Sequence, residues 1–503
     1  ALAISADRME DAQTLLIANS HQPIEGAFAW YEVHINSEEG WNTLGGLFPG
    51  GVTVFVGSNE NLGWAHTNNY HTFGDIYKLQ TKGQKKYLYD GKWIDFKTRK
   101  AKLKIKLGGL KLAVSKKLYD SEFGPVFKTK HGMYAFRFPA YMDIRAAEQW
   151  FRMNKAKNWN EFETALRMEA VPMFNTLYAD RENNIFMQSG GQIPLRNPSL
   201  DWKQPVDGSL SAYKWTKLLP FERKPALLNP SCGFIYNANN SPLFASGYAC
   251  EWQGDFIGLQ LFEYNRGERF KKLLNNHTGK FSDSLIHRIK YDKSYDEAGS
   301  YADRFKQVYG LDPVKYPKLE QSIRSLKAWD RSAEVSDTNA ALVLVMQKML
   351  SKKIDVPFGF LMIRKEIISE TDAVWAIKKA QQFLIQKHGK VNVPLGQVQR
   401  HIRGSVSLPA GGLSEVPRAT DAKLYDKKAG IYRVNGGDGY IQFAKFSKEG
   451  VRIRSVNAYG ASARPESVHY TDQMELFMEE KTKPMTLNKD SVMKQAVRVY
   501  HPQ

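Results

Sequence analysis

Cysteine is nearly absent: Cys232 and Cys250 are the only two in 503 residues, too few for a disulfide scaffold and without the companion spacing of a zinc site. A single loop-closing disulfide stays open if the compartment is oxidising. No run approaches the roughly 18 to 20 uninterrupted apolar residues that cross a bilayer, so no transmembrane segment is expected. Also missing are a Pro-, Gly- or Ser-rich linker and an internal repeat, and residues 1–503 therefore read as a single unit. There is no P-loop, no G-x-G-x-x-G opening a helix, no G-x-S-x-G elbow and no H-E-x-x-H, which disfavours nucleotide binding and common metalloprotease chemistry. The opening Ala-Leu-Ala-Ile-Ser-Ala-Asp-Arg has neither an initiator Met nor the basic-then-apolar layout of a secretory leader. A processed or trimmed chain is expected.

What is present is a folding composition, with 42% hydrophobic, 12% aromatic and 24% charged residues, which excludes disordered and low-complexity classes. The net charge of +19 would by itself raise nucleic acid as a partner. Its distribution argues against that, because residues 78–130 hold sixteen Lys/Arg against four Asp/Glu, or +12 of the total. Within this basic, β-rich segment Lys102-Leu-Lys-Ile-Lys-Leu107 alternates strictly, so Leu103, Ile105 and Leu107 share one strand face and the lysines the other. The plain reading is a solvated face that discourages edge pairing; contact with an acidic envelope or polymer is the alternative.

The pattern elsewhere predicts strands at Thr14 to Ala18 and Trp30 to Ile35, and a strand, turn and strand from Gly45 to Val56 through Ser58–Asn61 into Leu62–Trp64. A hairpin is signalled by Asn175–Ala179 and Ile185–Met187 around a polar turn, and another by Tyr440–Phe446 and Val451–Val456. Residues 260–390 are mainly helical, with apolar spacing at Phe262–Leu274, Ser282–Tyr291, Asn339–Leu350 and Ala373–Lys387. Residues 391–503 return to the core. Strands at both ends with helices between predict one layered α+β core whose sheets use distant segments.

Three polar clusters lie where strand physics does not require them. Asn19-Ser-His21 follows a strand, although a lone histidine is more often structural. Trp64-Ala-His-Thr-Asn-Asn-Tyr-His71 can present backbone N–H groups to an oxyanion, or be an ordinary polar loop. Asn237-Ala-Asn-Asn-Ser-Pro242 offers amide donors that do not titrate, and equally suits a turn.

Together these clusters resemble the β chain of the penicillin acylase family of N-terminal nucleophile hydrolases. The matching stretches are Ala1 to His21, Trp30 to Asp75, Asn175 to Arg196, Gly233 to Pro242, Asn265 to Leu274 and Tyr459 to Gln473, in order and at both ends of the chain. The resemblance implies stacked antiparallel sheets between helical layers, α-β-β-α, completed by an α chain cut from the same precursor. Family β chains begin Ser-Asn, and by that register the nucleophilic Ser lies two residues ahead of Ala1. Its α-amino group, with an ordinary pKa of about 8, serves as the base.

By the same register the backbone N–H of Asn68 and the side-chain amide of Asn239 match the two oxyanion donors. His21 matches a position near the terminal amine, and Arg266 an arginine that orients Asn and amine. Val56, Phe162 and Ile185 align with apolar lining of the acyl pocket, or are ordinary core. The resemblance implies no required cofactor. Some members hold a structural calcium near the segment matching Thr72 to Asp75; here Asp75 keeps a carboxylate and Thr72 does not.

The resemblance implies hydrolysis of the acyl amide of N-acyl-homoserine lactones or related acyl amides. A β-lactam side-chain acylase is the alternative, and a catalytically silent envelope-binding relative is an alternative of another class. It also implies a periplasmic or secreted location, which a Cys232–Cys250 bond would suit.

Overall fold

Thr14–Pro23 owes its central place to an apolar run that is covered on both sides. The structure, a computed structural model, describes residues 1–69, 71, 73–254, 263–355 and 367–501. In it Thr14–Pro23 pairs antiparallel with Leu2–Ile4 on one edge and with Ile431–Ser447 on the other. Leu16 and Ala18 face a second sheet, whereas Leu15 and Ile17 face helices. That two-sided burial is why the residues read as a continuous apolar run rather than an alternation.

Leu2–Ile4, Thr14–Pro23, Phe234–Tyr236, Gln399–Arg403 and Ile431–Ser447 belong to a nine-stranded sheet. Segments hundreds of residues apart thus share one ladder, as the terminal strands predicted. A seven-stranded sheet includes Tyr31–Ser37, Trp41–Leu47, Val56–Ser58, Leu62–Asn68, Phe174–Asp180 and Ile185–Ser189. The two sheets meet through Ala3, Leu16, Leu44, Ala65, Leu177, Met187 and Phe446. Leu274, Ile286 and Ile289, from helices Asn265–Asn275 and Asp283–Lys290, cover the outer face of the first sheet. Met153, Phe162 and Leu166, from helices Ala146–Lys155 and Trp159–Leu166, cover the second. The order of layers is α-β-β-α.

The hairpin predicted around Asp180–Asn184 forms in register, Asn175 opposite Ser189 and Ala179 opposite Ile185. Its tight polar turn is held by Asp180 Oδ1, which accepts the N–H groups of Glu182 and Asn184. The C-terminal hairpin likewise closes from Ser447 to Gly450. Three predicted helices appear as Asp283–Lys290, Ala340–Ile354 and Glu370–His388. Ser282 and Ser369 cap the first and last of these, each side chain accepting an N–H of the first turn. Phe262, the expected start of the fourth, lies outside the described residues, and that helix spans Asn265–Asn275.

The expectation for Gly45 to Val56 is corrected. The strand stops at Leu47 and resumes at Val56, with a loop between them. Asn154 is the reason this loop persists in the interior. Its Oδ1 accepts the Val54 N–H at 3.1 Å and its Nδ2 donates to the Val54 C=O at 2.9 Å, so one side chain takes the place of a strand partner. Its own carbonyl accepts from Thr43 and Asn59. The Asn154→Ala variant strands the Val54 polar groups in a buried setting. Its unfolding free energy in urea is expected to fall by about 1–3 kcal/mol, and an unchanged denaturation midpoint would refute this account.

Candidate active site

Strand register draws the beginning of the chain to the middle of the molecule. Leu2–Ile4 lies between Thr14–Pro23 and Phe234–Tyr236, with Leu2 opposite Ile17 and Tyr236. The Ala1 nitrogen consequently sits at the mouth of the Asn237–Asn240 loop and donates to the Asn237 C=O at 2.9 Å. Burial and the nearby Arg266 and Lys290 disfavour positive charge at this position, and Asp438 opposes them.

The loop is rich in asparagine because its tight path needs side chains to stand in for backbone partners. Asn237 Oδ1 accepts the Asn239 N–H, Asn240 Oδ1 accepts the Ala238 N–H, and Asn237 Nδ2 donates to the Asn240 C=O. Asn239 itself has φ +71°, a left-handed conformation that Asn tolerates better than most residues. From outside, the Tyr264 hydroxyl donates to the Ala238 C=O at 2.7 Å. Gly267 is needed for close approach: a Cβ there would lie 3.0 Å from the Asn240 Cβ.

Asn239 is the hub of the site. Its Nδ2 donates to the Asn68 C=O at 3.1 Å and its Oδ1 accepts from Arg266 at 2.9 Å. Arg266 follows Asn265, the first residue of its helix, whose side chain donates to the Glu415 C=O, and the Glu415 carboxylate lies 3.6 Å from the Arg266 Nε. Asn68 ends the Leu62–Asn68 strand opposite Phe174. Asn69 bonds back to the Met173 C=O, so by antiparallel alternation the N–H and C=O of Asn68 turn away from that neighbour. The Asn68 C=O accordingly meets Asn239, and its N–H faces the same side. Thr67 Oγ1 and Asn175 Nδ2 both donate to Asn237 Oδ1, at 2.6 and 3.2 Å. These bonds stitch the two sheets together under the site.

Around this polar corner opens a cavity of about 480 Å³, lined at one end by Ala1, His21, Asn68, Asn239 and Arg266. Its other walls include Trp30, Phe48, Phe55, Val56, Trp150 and Phe174. His21 lies within the Thr14–Pro23 strand just after a register shift, opposite Asp438, and its Nε2 lies 3.2 Å from Asp421. Of the apolar candidates, Val56 lines the cavity. Phe162 and Ile185 do not; they are corrected to core residues, both with no exposed surface, packed respectively with Trp64 and Tyr178 and with Ala179 and Met187. His66 was not singled out. Its Nε2 accepts the Trp150 indole N–H at 2.9 Å and its Nδ1 meets Thr176, and burial pushes its pKa down to about 4. It is therefore neutral near pH 7.

Also missed from sequence was the buried charge cluster behind the amine. Asp438 accepts from Asn19 at 2.9 Å, Lys290 at 2.9 Å and Arg418 at 3.2 Å. Its signal was an acid set among glycines, Gly436-Gly437-Asp438-Gly439, inside a strand pattern. Burial alone would raise the Asp438 pKa, but Lys290 and Arg418 outweigh it and hold the carboxyl below its usual range. A depressed carboxylate stabilises the fold fully above its unfolded value of about 4, and that contribution is lost as pH falls through the lower folded value. The Asp438→Asn variant leaves two buried cations poorly paired. It is expected to lose about 3–5 kcal/mol at neutral pH, with the deficit shrinking below about pH 4, in urea titrations across pH. A deficit independent of pH would exclude this role for the pair.

Asp75 does not fit a calcium site. Both its oxygens lie 3.0 Å from the Arg196 Nε, and Oδ2 also accepts the Trp215 indole N–H at 2.6 Å. A guanidinium already occupies the place where an ion's charge would act. Among the described residues no group of three or more His, Cys, Asp or Glu is placed to hold a metal; Thr72 lies outside them. The Arg196→Met variant is expected to lower Tm, because it strands a buried carboxylate, while EDTA leaves the wild-type Tm unchanged. A Tm that drops in EDTA and recovers with calcium would overturn the assignment.

The α-β-β-α layers are those of the penicillin acylase fold, and the family match makes the chain an amide C–N hydrolase. Residues 1–494 match the penicillin amidase family, and the chain belongs to that family. It is 23% identical over 535 residues to acyl-homoserine lactone acylase PvdQ of Pseudomonas syringae pv. tomato, covering 95% of this chain and 68% of that protein. It is 28% identical over 261 residues to penicillin G acylase of Escherichia coli, covering 48% of this chain and 28% of that one. Thermostable penicillin G acylase from Alcaligenes faecalis superposes with a TM-score of 0.71 at 17% identity, over 100% of this chain and 99% of that chain.

Proposed function

We propose that the protein hydrolyses the acyl amide of N-acyl-homoserine lactones, or of related acyl amides, through an acyl-enzyme on an N-terminal serine. The single observation that carries this reading is a cavity that Asn239, Asn68 and the chain's first residues line together with a wall of Trp30, Phe48, Phe55, Val56, Trp150 and Phe174. An acyl chain gains about 0.8 kcal/mol per buried methylene against such walls. The length and character of the chain are read there, and the reaction occurs at the polar end.

The serine belongs two residues ahead of Ala1, and continuing the ladder from Leu2–Tyr236 would bring it opposite Asn239. Its hydroxyl attacks the amide carbon and passes its proton to its own α-amine. The surroundings of the Ala1 nitrogen, burial with Arg266 and Lys290 nearby, favour an unprotonated base at that corner. The carbonyl oxygen becomes an oxyanion between the Asn68 N–H and Asn239 Nδ2. That amide has two N–H bonds, and the one to the Asn68 C=O leaves the second for the oxyanion. The ammonium then protonates the departing amine, and water cleaves the ester. Arg266 and His21 act by position, Arg266 holding the Asn239 amide in its orientation.

The α chain of the same precursor completes the enzyme, and the Cys232–Cys250 disulfide supports a periplasmic or extracellular site, where such bonds persist. The test is turnover by the processed heterodimer on acyl-homoserine lactones of increasing chain length and on penicillin G, with sequencing of the mature β chain. A terminal serine and a marked preference among the acyl lactones are expected. Asn239→Ala should lower kcat on the order of 100- to 1000-fold with the fold retained. Preference for penicillin G would assign the β-lactam alternative, and a non-nucleophilic first residue with no turnover would leave a binding protein.

A further inference from the structure

Residues Lys97–Leu107 and Leu110–Ser121 pair in unbroken register, Lys97 opposite Asp120 and Leu107 opposite Leu110. The next strand joins only at Tyr119–Ser121, so from Leu118 to the Gly108-Gly109 tip the ribbon has two strands and no third. From Arg99 to Leu107, at about 3.3 Å per residue, it is roughly 30 Å long. Cross-strand pairs share a face. One face carries the pairs Leu103–Val114, Ile105–Leu112 and Leu107–Leu110, and the other Lys100–Lys117, Lys102–Ser115, Lys104–Ala113 and Lys106–Lys111.

The alternation read from sequence is thus correct, yet its apolar side is not buried. Leu103, Ile105, Leu107, Leu110, Leu112 and Val114 are 43–70% exposed, the most exposed being Leu110 at the tip. An isolated two-stranded ribbon is marginal in water without a covered apolar face, and six exposed aliphatic residues in one patch mark a docking surface.

We infer that this ribbon docks on the surface of an anionic phospholipid bilayer. The charge identifies the occupant. The apolar patch is bordered by Arg99 and Lys116 on its own face and backed by six lysines, within a segment of net charge +12, sixteen Lys/Arg less four Asp/Glu. Aliphatic side chains enter the acyl boundary while the ammonium groups, on long flexible stems, reach headgroup phosphates. Nucleic acid would use the lysines and leave the apolar face uncovered. The ribbon lies flat rather than spanning, since two strands leave open edges that hydrocarbon does not tolerate.

Flotation of the processed protein with vesicles tests this. At low salt it is expected to float with mixed phosphatidylcholine–phosphatidylglycerol vesicles, to float weakly with phosphatidylcholine alone, and to be released by salt. The double variant Ile105→Glu/Leu112→Glu should lose binding on the order of tenfold or more, and Lys102→Gln/Lys104→Gln/Lys106→Gln should lose the preference for anionic lipid. Amide hydrolysis should be unchanged in both. The inference is overturned by wild-type protein that stays in solution at low salt, or by a double variant that floats as well as wild type. Loss of the α chain or of a dimer on Ile105→Glu/Leu112→Glu, seen by light scattering, would also overturn it, because the face would then belong to a protein partner.

Discussion

Everything at the site depends on one ladder, the antiparallel pairing that holds Leu2–Ile4 between Thr14–Pro23 and Phe234–Tyr236. Leu2–Ile4 is an inner strand of a nine-stranded sheet, with an apolar layer on each face. The ladder fixes where the first residues lie relative to Asn237, and Asn237 in turn fixes Asn239. No loop motion is needed to bring these groups together, so they are organised before substrate arrives.

The second constraint is how polar groups are kept in a dry corner. The network that joins the two sheets, Thr67, Asn175, Asn237 and Asn239, uses amides and a hydroxyl, which satisfy one another without a net charge to desolvate. The charges nearest this network are paired, Arg266 near Glu415 and Asp438 with Lys290 and Arg418. Arg266 and Lys290 act on the Ala1 position, and Asp438 opposes them. An amine placed there meets a field that favours its neutral form.

Legibility differed by the kind of signal. The Phe174–Ser189 hairpin and the capped helices follow from local alternation, turn chemistry and periodicity, and these survive folding unchanged. His21, Asn68, Asn239 and Arg266 are joined by resemblance to a family, not by spacing, because sites assembled across a sheet leave no local pattern. Phe162 and Ile185 show the limit. A buried core residue and a pocket wall are equally apolar, and only the position of the cavity separates them. The 48–55 loop failed for a similar reason, since a distant Asn154 supplies the partners that strand propensity expects from a neighbouring strand.

Taken alone, the sequence determined the α+β class, the placement of strands at both ends, the charge excess of residues 78–130 and the amphipathic alternation of Leu103 to Leu107. These are properties of neighbours, and periodicity carries them. Tertiary structure decided that this ribbon keeps its apolar face exposed, that Arg196 takes both oxygens of Asp75, and that Asp438 stands behind the first residue of the chain. Each of those depends on which distant side chains share a low-dielectric space, and no spacing along the chain encodes that distance.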